Sequence, residues 1–109
     1  MTNEINRLYE EIRALLDDPV EAEGPRYRAR LEHTLTDGYA RALALEAELR
    51  RLERRVAELA GGMNGSSPAL AAAELGEAAR RQSEVDAELT RLRSVLTELR
   101  ARASEVRVG

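Results

Sequence analysis

"LEHTLTDGYARALALEAELRRLERRVAEL", residues 31–59, decides the fold. Leu31, Leu35, Gly38, Ala42, Leu45, Leu49, Leu52, Val56 and Leu59 follow one another at alternating spacings of four and three residues. That repeat keeps a single seam of one helix turned toward a partner helix. A strand would alternate at every second residue, and this stretch does not. Leu35, Ala42, Leu49 and Val56 take position a of the heptad. Leu31, Gly38, Leu45, Leu52 and Leu59 take position d.

The same period returns after Pro68. Leu75, Gln82, Leu89, Leu96 and Ala103 fall at a, and Ala78, Val85, Leu92, Leu99 and Val106 at d. Between the two runs lies "GGMNGSSP", residues 61–68. Glycine permits positive φ, so Gly61 is the expected helix stop. Ser67 followed by Pro68 reads as an N-cap and a first helical residue. Two heptad helices joined by a short loop fold back on each other. Residues 26–106 are therefore expected to form an antiparallel coiled-coil hairpin with its turn at 61–67.

Charge selects the register. Centring the turn on residues 63 and 64 layers Val56 on Ala71, Leu52 on Leu75, Leu49 on Ala78 and Leu45 on Gln82. The flanking positions then pair Arg55 with Glu74, Glu48 with Arg81, Arg41 with Glu88 and Glu32 with Arg93. All are opposite in sign. A slip of one heptad sets Arg55 against Arg81, Glu48 against Glu88 and Glu46 against Asp86. Each exposed pair contributes only about 0.2–1 kcal/mol, but the contrast between registers sums several of them.

Upstream, "TNEINRLYEEIRALL" places Ile5, Leu8, Ile12 and Leu15 on one helix face, widened by Tyr9 and Leu16. Residues 1–18 are expected to be a short amphipathic helix, capped by Thr2 or Asn3. Residues 19–25, within the proline-bearing "DDPVEAEGP", read as a linker. If the first helix packs antiparallel on the base of the hairpin, Ile5 lies near Gly38 and Leu15 near Arg28. It would also supply cover for Tyr39 and Leu43, which sit outside the two-helix seam, as does Val95. The fold class expected is all-α: a long helical hairpin with a short N-terminal helix packed on its base, three helices there.

The stretch "HTLTDGY", residues 33–39, breaks the Ala, Leu, Glu and Arg background. Its plainest reading is packing: Gly38 and Ala42 are a small-residue pair that lets backbones approach. Mid-helix glycine costs about 1 kcal/mol against alanine, which closer packing would offset. A kink re-capped by Asp37 conflicts with the unbroken heptad phase. The functional reading is a recognition surface of hydroxyls, imidazole and phenol. His33 and Asp37, one turn apart, are too few ligands for a metal site, which needs three or four.

Composition bounds the chemistry. The chain has 109 residues, 43% hydrophobic and 34% charged, and its three aromatic residues are all tyrosine. There is no cysteine, so no disulfide or thiolate chemistry is expected. All 17 basic residues are arginine, which removes lysine chemistry and suggests a GC-rich, bacterial genome. Net charge of -3 gives no general attraction to nucleic acid or anionic lipid. The acidic opening "MTNEINRLYEE" is unlike a signal peptide. No apolar run approaches membrane-spanning length. A cytoplasmic protein is expected.

No catalytic constellation is legible. With one histidine and no cysteine, the serines at 66, 67, 83, 94 and 104 have no base placed to activate them. "GGMNG" follows a helix and carries no lysine, so it is not a phosphate loop. The turn also holds no tryptophan, and the bundle positions offer no paired Glu and His ligands, so no known family of helical hairpins is resembled. The sequence predicts no enzyme, no cofactor and no metal.

Two function classes remain. The first is a non-enzymatic interaction module, an adaptor, scaffold or regulator whose partner is a protein of unknown identity or a second copy of the chain. The off-seam Tyr9, Leu16, Tyr39, Leu43 and Val95 would suit a homodimer. The second is a regulator that binds an anionic ligand, such as a nucleotide messenger, or nucleic acid through arginine faces. "RRLERR" sets Arg50, Arg51, Arg54 and Arg55 together, and Arg91, Arg93, Arg100, Arg102 and Arg107 make the last helix basic toward its end. Interleaved glutamates and absent aromatics favour a solvated face over nucleic-acid binding. The candidate interaction surface is His33, Asp37, Tyr39, Leu43, Arg50, Arg51, Arg54 and Arg55.

Overall fold

The structure is a computed structural model that describes residues 2–17, 24–62 and 67–108, with side chains for 4–17, 24–62 and 67–105. These residues form three α-helices: α1 Thr2–Asp17, α2 Pro25–Ala60 and α3 Pro68–Val108. No strand occurs among them. The fold is the all-α helical hairpin that the heptads predict, with α2 packed on α3. The expected cap at Thr2 or Asn3, the seam position of Val106 and the centre of the turn lie outside the described side chains. So does most of the linker.

The helix ends follow local chemistry, with two shifts. Pro25, read as linker, is the first residue of α2, and the Gly24 carbonyl accepts the Arg28 N–H at 3.0 Å. Proline suits that position because its missing N–H would be unpaired anyway. At the other end Gly61 still donates to the Ala57 carbonyl at 3.0 Å, as a helical residue does. The left-handed residue is Gly62, with φ of 69°, so the stop lies one residue beyond Gly61. The Ser67 hydroxyl accepts the Leu70 N–H at 3.2 Å and its carbonyl accepts the Ala71 N–H at 2.9 Å. That is the capping geometry expected from "SSP".

The chain divides into two compact units, Met1–Ala42 with Arg91–Gly109, and Leu43–Thr90. In the first, α1 packs on the opening turns of α2 and the closing turns of α3. Ile12, Leu15, Leu31, Leu92 and Leu99 are at most 1% exposed there. Burying one such side chain stabilises by about 1.5–3 kcal/mol, more than any surface ion pair. The run of α1 is antiparallel to α2. The buried Tyr27 hydroxyl donates to the Leu15 carbonyl at 2.6 Å, and Arg30 binds Glu11 at 2.9 Å. The Arg102 Nε–H donates in turn to the Tyr27 oxygen at 3.2 Å. One phenol thus ties the end of α1 to both long helices.

α2 runs unbroken through Gly38, so Asp37 re-caps nothing. Thr36 folds its hydroxyl back onto the Glu32 carbonyl at 3.0 Å, a local bond that leaves the helix intact. Gly38 is buried, and a Cβ built on it would overlap the Cδ2 of Leu96. Continuing the expected layers would set Leu89 there. The notch left by the missing side chain accepts the longer reach of Leu96.

In the second unit α2 and α3 pack as a pair. Leu45, Leu59, Val85 and Leu89 are buried, while Leu49, Leu52, Val56 and Leu75 are half-buried. A single partner helix covers one face only, so the seam keeps partial contact with water. Gln82 is half-buried and lines a groove with Leu49, Glu53 and Asp86. Two of the four charge pairs expected from the register form here: Arg55 with Glu74 at 2.7 Å and Arg81 with Glu48 at 2.8 Å.

Candidate functional site

The sequence-selected residues do not form one site. Nε2 of His33 lies 3.3 Å from the Asp37 carboxylate, with side chains 79% and 57% exposed. This is a solvated contact across one helical turn, and no group of three metal-ligating side chains exists among the described residues. Tyr39 and Leu43 were expected to gain cover from the first helix. Instead they are 41% and 65% exposed. Arg50, Arg51 and Arg54 are exposed, whereas Arg55 is committed to Glu74. On α3, Arg80 bridges Glu77 and Glu84. Its hydrogen bond to Glu77, then the charges of Glu77 and Glu84, hold its guanidinium above the ordinary arginine value.

Three of the off-seam residues do come together. Tyr9, Leu16 and Val95 line a groove of about 460 Å³ between α1 and α3, with Arg13, Arg91 and Glu98. The Arg91 guanidinium lies 4.1 Å from the centre of the Tyr9 ring. An arginine over an aromatic face adds about 0.5–1 kcal/mol at an exposed site. It also covers part of the ring that the seam leaves open.

A larger groove, about 710 Å³, lies between α1 and α2 within the first unit. Leu8, Ala29 and Ala40 give it apolar walls, and Thr34, only 3% exposed, belongs to its lining. Its charges are partly spent. Arg30 holds Glu11, and His33 holds Asp37. Arg41 is different: its Nε is buried and has no hydrogen-bond partner. Arg7 and Glu4 line the same groove. The sequence places Arg41 as a flanking coiled-coil charge opposite Glu88 and gives Arg7 no role. Their only sequence signal is that both fall beside the apolar stripes that α1 and α2 turn toward each other.

No helix of the described residues is long and apolar enough to cross a membrane. No protein-family model, no curated protein and no solved structure matches the chain.

Proposed function

We propose that this chain is a non-enzymatic interaction module, an adaptor, scaffold or regulator that presents helix surface to a protein partner in the cytoplasm. One observation carries the reading. Large apolar side chains stand on outer helix faces: Tyr39 at 41%, Leu43 at 65% and Leu70 at 54% exposure. Scattered exposed leucines are ordinary. In a chain with only three aromatic residues, an exposed tyrosine and two well-exposed leucines are the side chains a partner would cover.

The test is affinity purification of the tagged chain from native lysate, with and without nuclease, read by quantitative mass spectrometry. A stoichiometric protein should survive nuclease and be lost with Leu43→Glu or Leu70→Glu. Recovery unchanged by either variant would overturn the reading.

A second reading is an anionic ligand or nucleic acid on the arginine face. It rests on Arg50, Arg51 and Arg54, which are exposed and carry no ion pair among the described residues. Binding of this kind falls steeply with salt and is lost in Arg50→Glu with Arg54→Glu.

A further inference from the structure

We propose that the α1–α3 groove is a self-complementary face on which a second copy of this chain docks, antiparallel to the first. Tyr9, Leu16 and Val95 give the groove apolar surface that the fold leaves half-buried. Glu10, Asp17 and Glu98 line it beside Arg13 and Arg91. A face that mixes both signs offers little to a strongly acidic or strongly basic partner. It suits a partner that carries the same mixture in a matching register.

The spacing of four side chains supplies that register. Tyr9 and Leu16 are seven residues apart on α1, and Arg91 and Glu98 are seven apart on α3. The two helices run the same way. Arg91 lies on Tyr9 in the first half of α1, while Arg102 and Leu15 meet at the Tyr27 hydroxyl near its end. The Arg91 guanidinium, 4.1 Å from the centre of the Tyr9 ring, sets both pairs near one level of the groove. A single two-fold axis across the groove beside Val95 therefore exchanges Tyr9 with Leu16 and Arg91 with Glu98 at once. Leu16 of each copy then packs on Tyr9 of the other, and Glu98 of each meets Arg91 of the other, as a two-fold interface requires.

Within one chain Arg91 and Glu98 stand about 10.5 Å apart along α3, too far to pair. Both are exposed, and neither carries an ion pair among the described residues. A guanidinium stacked on a ring keeps its edge N–H groups for a carboxylate, so Arg91 serves Tyr9 and the second copy together.

Sedimentation velocity of the full-length chain over a concentration series tests this. The face is two helices wide and about 24 Å long, small for a stable interface, so a dimer with a micromolar Kd is expected. Arg91→Glu and Glu98→Arg should each weaken self-association about tenfold or more, because the axis repeats every contact. Mixed together, the two variants should dimerise as tightly as the native chain, since each supplies the charge that the other lacks. That recovery also shows that both fold. Leu16→Glu should abolish the dimer. Leu43→Glu should dimerise as the native chain does, which separates this face from the residues invoked for a protein partner. The proposal is overturned if the native chain stays monomeric at millimolar concentration, if either charge variant associates as the native chain does, if their mixture is no tighter than its parts, or if Leu43→Glu dissociates the dimer.

Discussion

Leu96 occupies the space that a Cβ on Gly38 would need. Leu96 is 2% exposed, so its side chain has little room to retreat. Alanine at 38 would gain about 1 kcal/mol of helix propensity. It would also force an overlap, and overpacking a core typically costs about 1–3 kcal/mol. Gly38→Ala should therefore lower stability in the native chain. In a Leu96→Val background, where the Cδ atoms are gone, the same change should stabilise. Urea unfolding of the four proteins reads the coupling directly. Additive effects would mean that the two residues do not touch.

Glu48 and Arg81 lie 33 residues apart in sequence and 2.8 Å apart in the helix pair. Their side chains are 29% and 51% exposed, so water screens the pair. Glu48→Arg should destabilise by setting two arginines together, and adding Arg81→Glu should restore most of the loss. A coupling of about 0.2–1 kcal/mol is expected in thermal unfolding. It should shrink in 1 M salt, where screening acts within about 3 Å.

Tyr27→Phe keeps the ring and removes the hydroxyl. The Leu15 carbonyl then loses its donor, and Arg102 loses an acceptor. A buried acceptor left unsatisfied costs about 1–3 kcal/mol. Chemical denaturation should show that loss. Hydrogen exchange should quicken in α1 more than in residues 43–60, because the phenol ties α1 to the rest of its unit. Equal acceleration in both segments would argue against this role.

Ser67→Ala removes the hydroxyl that accepts the Leu70 N–H. The expected cost is about 1 kcal/mol, and Ser67→Asp should retain the native stability because a carboxylate caps as well. Exchange at the first turn of α3 should report the change. A Ser67→Ala protein as stable as the native one would show that this cap contributes nothing.

Several features were readable before any coordinates because their causes are local or repetitive. The heptads of α2 and α3 set their seams, and opposite charges placed Glu48 on Arg81 and Arg55 on Glu74. "SSP" marked the start of α3 through capping chemistry confined to four residues. The misses have a different character. Gly61 and Gly62 are equally able to adopt positive φ, and only the last helical hydrogen bond, from Gly61 to Ala57, assigns the stop to Gly62. Tyr39 looked as though it needed cover, and Tyr27 was not singled out. In the structure the roles reverse: Tyr27 is 4% exposed and Tyr39 is 41% exposed. Periodicity within α2 shows that both lie off or beside the seam. It does not show on which side a third helix will settle.

The sequence by itself determined that the chain is helical, where the long seams run and that Arg55 faces Glu74 and Glu48 faces Arg81. Those properties depend on residues three, four and seven positions apart, and one helix carries them whatever surrounds it. Only the tertiary structure decided that the Tyr27 hydroxyl meets the end of α1, that Leu96 rather than Leu89 fills the notch at Gly38, and that the Nε of half-buried Arg41 has no acceptor. These outcomes follow from fitting whole side chains between helices distant in sequence. Apolar contact has no direction of its own, so the best packing is chosen by shape at the interface and not by spacing along the chain.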